Sequence, residues 1–378
     1  MKVATVVGTR PQFVKAAVVS RALRERHREI LIHTGQHYDI NMSGVFFAGL
    51  DIPAPDYCLN AGSGAPGRQL AGMLGGLESV FDREKPDIVL VYGDSRSTLA
   101  AALAASKAGV PLAHVEAGLR SHRQSMPEEF NRIVTDHLSS ILFCPSETAV
   151  RNLEQEGFTG IINRGRLVSI EEVPDRPACP QVVNVGDVMV DVLLEYAGKE
   201  RCPVLPAGKQ FWQRGKYLLA TVHRAENTDN KERLAAILES FAEAGEKVVF
   251  PVHPRTAKKI VEFGLTGYLR HHRIDAIEPV GYLEMLCLIK NARMVLTDSG
   301  GVQKEAFILK VPCITLREET EWVETVERGC NVLVGCAPEL IRRALATAPA
   351  CDWSGNPYGR GDASRLIARV LEGFICRG

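Results

Sequence analysis

The chain has no net charge, because 45 Lys and Arg balance 45 Asp and Glu across 378 residues. A protein that grips nucleic acid or an anionic membrane surface carries a basic excess or block, so neither partner is expected. No apolar run approaches the roughly 20 residues that a membrane-crossing helix needs. Low-complexity tracts are missing, and so is any internal repeat beyond two similar halves. Ten cysteines are present without a Cys-x-x-Cys pair, so neither a zinc site nor a disulfide framework is indicated. Cys144, Cys287 and Cys313 stand in apolar surroundings and read as buried reduced thiols of a cytoplasmic protein. Met1–Val7 reads as a short strand rather than a secretory leader.

What remains is an ordinary globular composition, 46% hydrophobic and 24% charged. The length exceeds what one core usually supports, so two domains are expected. Short apolar runs alternate with helix-like segments. Val3–Val7, Ile30–Thr34, Ile88–Tyr92, Leu112–Val115 and Ile141–Cys144 read as strands, with helices over Val14–Leu23 and Thr98–Lys107. Asn163–Pro180, rich in charge and proline, reads as an irregular excursion. Alternation resumes with Tyr217–Val222, Lys247–Val252, Ala276–Val280, Met294–Thr297 and Cys313–Leu316, and Asp362–Phe374 reads as an amphipathic helix. Such alternation implies parallel sheets covered on both faces. The domain change is placed between Asp187 and Pro206.

Ligands of open α/β sheets bind beyond the carboxyl ends of the strands, so the residues that follow strands matter most. Thr297-Asp298-Ser299-Gly300-Gly301-Val302-Gln303-Lys304-Glu305 is a strand end, a glycine turn and a helix start. Its free first-turn N–H groups would hold a phosphate, and Glu305 would accept from two ribose hydroxyls. The same residues also fit an ordinary Ser-capped helix. After the first strand, Arg10 and Lys15 are either solvated cations or partners of a leaving phosphate. Asp94 follows Ile88–Tyr92 as an N-cap or as a catalytic carboxylate. Glu116, at a strand end, is harder to explain structurally. Glu128 opens a helix, where an acid is favourable for the dipole alone. Three carboxylates in one cleft would separate in pKa and divide acid and base roles. In the second half, His223 would bind phosphate oxygens or be a satisfied structural histidine. His253 favours the structural reading, and Arg317 would meet a phosphate or a base edge.

Three strings are discounted. Gly62-Ser63-Gly64-Ala65-Pro66-Gly67 matches the dinucleotide pattern, but no strand precedes it and Pro66 interrupts it, so it reads as a loop. Arg360-Gly361-Asp362 stands before the last helix. His271-His272 lies between arginines and reads as solvated surface.

These motifs coincide with those of one family. Gly8-Thr9-Arg10-Pro11-Gln12, His33-Thr34-Gly35-Gln36-His37, Gly93-Asp94-Ser95, His114–Arg120, Met126–Arg132, Asn184–Asp187, Thr221–Asn227, Thr297–Glu305 and Thr320–Glu324 resemble the non-hydrolysing UDP-N-acetylglucosamine 2-epimerases along nearly the whole chain. The resemblance implies a glycosyltransferase-B-like α/β fold, with two Rossmann-like domains whose parallel sheets face a central cleft. Residues 1–190 would form the sugar-side domain, 191–355 the UDP-binding domain, and 356–378 a helix returning to the first. Arg10, Arg132, His223, Met285, Ser299, Gly300, Gly301, Glu305 and Arg317 would hold the UDP-sugar. Asp94, Glu116 and Glu128 would be the catalytic carboxylates, with Lys15 and His223 assisting. The family implies homodimers and neither cofactor nor metal. The reaction expected is interconversion of UDP-GlcNAc and UDP-ManNAc through a 2-acetamidoglucal.

The chain departs from the family at several points. Ser95-Arg96 replaces Thr-Asn or Thr-Thr, Met285 replaces a Phe near the uracil, and Gly359-Arg360-Gly361 replaces Gly-Asp-Gly. Gln36-His37-Tyr38-Asp39 keeps only part of the Gln-His-x-Gln stretch used for allosteric UDP-GlcNAc, so activation is expected to be weak or absent. Gly281–Met285 and Thr320–Glu324 also resemble relatives acting on UDP-2,3-diacetamido-2,3-dideoxyglucuronate. Arg96 or Arg123 would supply the extra cation that such a substrate needs.

Overall fold

The computed structural model describes residues 1–36, 53–59, 61, 64–123, 126–172, 180–199, 203, 212–347 and 350–374. The chain divides into two compact units, Met1–Glu195 with Asn356–Gly378, and Tyr196–Gly355.

The first unit is built on a parallel sheet of seven strands: β1 (Lys2–Val7), β2 (Arg28–His33), β3 (Tyr57–Cys58), β4 (Ile88–Tyr92), β5 (Leu112–Val115), β6 (Ile141–Cys144) and β7 (Gln181–Asn184). Their order is β3-β2-β1-β4-β5-β6-β7. The central strands are fully buried, as expected for a sheet covered by helices on both faces. A core of Val6, Ile32, Met73, Leu77, Val89 and Ala101 lies under one face. The helix Ala363–Gly373 belongs to this unit and packs on the helix Arg10–Arg24. Asp191 fixes its start, accepting from the Ser364 amide at 2.8 Å, the Ser364 hydroxyl at 2.6 Å and the Ala363 amide at 3.2 Å.

The second unit carries six parallel strands: β8 (Tyr217–Thr221), β9 (Lys247–Pro251), β10 (Ile274–Ile277), β11 (Met294–Thr297), β12 (Cys313–Thr315) and β13 (Asn331–Leu333), in the order β10-β9-β8-β11-β12-β13. Leu218, Ile237, Phe241, Phe250, Leu296 and Ile341 anchor its core.

Two expectations are corrected. The strand placed at Ala276–Val280 is β10, Ile274–Ile277; among the described residues it pairs with β9 alone, and that pairing ends at Pro251 opposite Ile277. Beyond it Pro279 has no N–H to donate, so the ladder cannot extend. Pro66 and Gly67, read as loop, begin the helix Pro66–Glu84, because proline is tolerated where the N–H would be unpaired anyway. The stretch read as an irregular excursion carries in its described part only two short 3-10 turns, Ile162–Gly165, which begins just before it, and Ile170–Glu172. Residues 173–179, Gly62-Ser63 and His37-Tyr38-Asp39 lie outside the described residues. Among the described residues, no helix is long and apolar enough to cross a membrane.

Candidate active site

Each sheet changes direction once, between β1 and β4 in the first unit and between β8 and β11 in the second. Loops diverge there and leave a crevice at the strand ends. The sequence-selected residues concentrate at these two places.

In the first unit, the turn after β1 is pressed against its neighbours. A Cβ on Gly8 would lie 2.0 Å from Ser97 Oγ and 2.2 Å from Thr34 Oγ1, so only glycine fits. Gln12 then ties two turns together. Its Oε1 accepts from the Gly8 amide at 2.8 Å and the Thr9 amide at 3.1 Å. Its Nε2 reaches the Tyr92 carbonyl at 2.8 Å and the Ser95 and Thr98 hydroxyls at 2.9 Å. Arg10 is half-buried beside this turn, and loss of hydration lowers its pKa from the usual guanidinium value.

Lys15, one turn further along the helix, forms an ion pair with Glu116. Both side chains are about nine-tenths buried, with 10% and 11% exposure. Glu116 ends β5 in a left-handed conformation, φ 72°, which costs a non-glycine residue on the order of 1–3 kcal/mol. Its amide and that of Ala117 both donate to the Phe143 carbonyl, at 3.0 and 3.1 Å. The Gly93 turn comes close beside the pair: a Cβ there would lie 3.2 Å from Glu116 Oε2.

Asp94 follows Gly93 and is not the N-cap of the next helix, so that alternative is corrected. Ser95 holds that position, its hydroxyl accepting from the Thr98 amide at 3.3 Å. The Asp94 carboxylate instead pairs with Arg132, and its carbonyl accepts from Asn131 at 2.9 Å. Arg132 also donates to Glu129 at 2.7 Å. Glu129 and Glu128 occupy the first turn of the helix Pro127–Leu138 but differ in use. Glu129 is buried and accepts from the Ser121 amide and hydroxyl, both at 2.9 Å, and from the His122 amide at 2.9 Å. Glu128 is half-buried.

In the second unit the organising group is Asp298, fully buried at the end of β11. Its carboxylate accepts from the amides of His223 and Arg224 at 3.0 Å and from Asn227 Nδ2 at 3.1 Å. The loop after β8 is thereby fixed to the loop after β11. The His223 ring is 36% exposed, with its Nδ1 3.5 Å from Asp298. Loss of hydration lowers its pKa below the ordinary histidine value. Arg224, Arg255 and Arg317 push the same way, and Asp298 opposes them. The His253 ring packs 5.5 Å away, and His253 Nδ1 caps the helix Pro254–Glu262 by accepting from the Arg255 amide at 3.2 Å.

Ser299 stands at the N-cap position of the helix Gly300–Ile308, but its hydroxyl makes no capping bond. The simple Ser-capped reading therefore does not hold. Gly300 faces Glu321 and Trp322, whose nearest atoms lie 3.5 and 3.4 Å from where its Cβ would be. Glu305 is buried. Arg317, at the end of β12, donates to both Glu321 oxygens at 3.1 Å. Its burial works against the charge, but Glu321 and Glu319 outweigh this and raise its pKa. Met285 is half-buried against the core of the second sheet.

The first unit thus brings Lys15 to Glu116 and Arg132 to Asp94, and the second ties the His223 loop to Asp298, which Ser299 follows in the chain. Sequence reading gave no role to Gln12, Asp298 or Glu129. The usable signal was a polar side chain next to a buried strand end, where it must find partners.

The family model for UDP-N-acetylglucosamine 2-epimerase matches residues 21–372. A UDP-N-acetylglucosamine 2-epimerase homolog of Methanococcus maripaludis is 50% identical, covering 98% of this chain and 99% of its own. A UDP-2,3-diacetamido-2,3-dideoxy-D-glucuronate 2-epimerase of Pseudomonas aeruginosa is 48% identical over the same shares. The crystal structure of the Methanocaldococcus jannaschii UDP-GlcNAc 2-epimerase, in complex with UDP-GlcNAc and UDP, superposes with a TM-score of 0.85. It is 43% identical, with 98% of this chain and 99% of that one covered. The two parallel α/β units are of the glycosyltransferase-B-like class.

Proposed function

The chain belongs to the UDP-N-acetylglucosamine 2-epimerase family, and from this we propose that it is the non-hydrolysing enzyme interconverting UDP-GlcNAc and UDP-ManNAc. The observation that carries the reading is the Lys15–Glu116 pair beside the Gly93-Asp94 turn, at the switch point of the first sheet. It supplies a carboxylate for proton transfer and a cation for a departing phosphate at one place.

The C2 hydrogen is not next to a carbonyl, so it is not acidic at the start. Breaking the C1–O bond sends its electron pair to the β-phosphate of UDP and leaves positive charge at C1. A carboxylate then takes the C2 proton and the pair forms the C1–C2 double bond of a 2-acetamidoglucal. Return of a proton to the opposite face of C2 and re-addition of the UDP oxygen to C1 give the epimer. Inversion needs groups on both ring faces, and Asp94, Glu116 and Glu128 are assigned to them. Arg10 and Lys15 meet the diphosphate charge, and Arg132 orients Asp94. On the second unit, Ser299, Gly300, Gly301 and His223 bind phosphate. Glu305 takes the ribose, and Arg317 and Met285 flank the nucleoside.

The test is NMR of the protein with UDP-GlcNAc in D₂O containing EDTA. UDP-ManNAc deuterated at C2, with little free UDP, supports the reading. Free UDP with ManNAc indicates a hydrolysing epimerase, and no turnover points to the diacetamido-uronate substrate or to a glycosyltransferase awaiting its acceptor. A plain hyperbolic dependence of rate on UDP-GlcNAc is expected, and sigmoidality would contradict the weak-activation reading.

A second substrate has specific support. The Pseudomonas aeruginosa relative, 48% identical, is named for UDP-2,3-diacetamido-2,3-dideoxy-D-glucuronate. Turnover of that compound, with UDP-GlcNAc inert, would favour it.

A further inference from the structure

His114 lies within the apolar run of β5 and is fully buried. Both ring nitrogens are engaged. Nε2 lies 2.7 Å from the Gly93 carbonyl, and Nδ1 lies 2.7 Å from Asp136 Oδ1. A carbonyl can only accept. Asp136 has its other oxygen facing the Gly118 amide and the Arg120 guanidinium, two donors, as a carboxylate does, so it too accepts. Both bonds are therefore filled when each ring nitrogen carries its proton. Asp136 is itself fixed, with Oδ2 accepting from the Gly118 amide at 3.1 Å and from Arg120 at 2.7 Å. Arg120 in turn forks onto Glu156 at 2.6 and 2.7 Å.

The three elements that meet at this ring carry the three candidate carboxylates. Gly93 precedes Asp94 in the turn after β4. His114 is two residues before Glu116 at the end of β5. Asp136 is on the helix Pro127–Leu138, which opens with Glu128. The Gly93 amide also donates to the Val115 carbonyl at 3.0 Å, so the turn is held from both sides. Rotation of the Gly93 carbonyl would move Asp94 and disturb the Lys15–Glu116 pair beside it.

We propose that His114 is a positioning residue, clamping through its two ring N–H groups the turn, strand and helix that carry Asp94, Glu116 and Glu128. It touches no substrate, and the proposal rests on the epimerase reading for what those carboxylates do. Because a displacement of about 1 Å at reacting groups can cost a factor of about 10², loss of the clamp acts on turnover more than on binding.

Two variants divide the clamp. In His114→Asn the amide nitrogen stands where Nδ1 stood, keeping Asp136 and losing Gly93. In His114→Gln it stands where Nε2 stood, keeping Gly93. For His114→Asn, kcat is expected to fall by about 10² with KM within about threefold, while His114→Gln stays within about tenfold of wild type. Equal losses in the two variants, or unchanged kcat in His114→Asn, would overturn the clamp. A measurement on the wild-type protein decides the matter even if neither variant folds or no UDP-sugar is turned over. In ¹⁵N-histidine-labelled protein, the ring assigned by its contacts to Gly93 and Asp136 is expected to show two slowly exchanging N–H protons. One bare nitrogen would overturn the proposal. Wild-type protein that turns over no UDP-sugar while showing both protons would count against the epimerase reading alone.

Discussion

Gln12 Nε2 lies 2.8 Å from the carbonyl of Tyr92, so the helix that follows β1 is tied directly to the last residue of β4. The opposite end of the same amide holds the Gly8 and Thr9 amides. One uncharged side chain therefore spans the switch point of the first sheet. In the second sheet the buried carboxylate of Asp298 does the corresponding work for the loops after β8 and β11.

Replacing Gln12 by Leu preserves volume and removes every one of those bonds. Each buried group left unpaired costs about 1–3 kcal/mol, and some will find water. The variant is expected to lose about 2–4 kcal/mol in chemical denaturation followed by circular dichroism. A loss under about 0.5 kcal/mol, typical of surface changes, would show that the tie contributes little.

Glu116→Gln keeps the shape of the pair with Lys15 and removes the proton acceptor. Turnover, read as deuterium incorporation at C2, is expected to fall by a factor of about 10² or more. UDP affinity in calorimetry should be unchanged. Near-normal turnover would remove Glu116 from the acid–base chemistry.

His223 offers a pH dependence with a definite sign. Its pKa is lowered in the free protein by loss of hydration and by nearby arginines. A bound diphosphate is an opposite charge and raises it again. UDP affinity should therefore gain strength as pH falls through the window between the complex and free values, the lower edge lying below the ordinary histidine pKa. Titrations of wild type and His223→Gln at several pH values isolate this part from the titration of UDP itself. Parallel curves for the two proteins would exclude the ring from phosphate binding.

Asp191→Ala removes the acceptor for the first amides of the last helix. Loss of such a cap costs about 0.5–2 kcal/mol, and a destabilisation in that range is expected by thermal melting. Hydrogen exchange should rise first in Ala363–Gly373, and uniform change along the chain would contradict the assignment.

Most of the strands were legible because they are buried on both faces, and parallel strands of that kind read as continuous apolar runs. The edge strands β3, β7 and β13 were not, since pairing on one side, not composition, defines them. The strand-end carboxylates were legible as positions because period and glycine turns mark where strands stop. What each acid does was not. Glu128 and Glu129 are adjacent and identical in type, and only the fold shows that Glu129 holds Ser121 and His122. That Ser95 rather than Asp94 caps the following helix likewise shows only in the fold, where the Ser95 hydroxyl accepts from the Thr98 amide. His114 looked like one more member of an apolar run, and its two partners lie 21 and 22 residues away in sequence.

The first unit takes its last helix from residues 363–373, whereas the second is a single uninterrupted stretch. Order of synthesis then separates them. When residue 355 has left the ribosome, the second unit has all of its chain and can close its core. The first, though begun earlier, must wait for Ser364 to reach Asp191, leaving an apolar face on the helix Arg10–Arg24 uncovered until residues 363–373 emerge. A stalled or prematurely ended chain should therefore expose that helix to chaperones and proteases, with the later-made unit already folded.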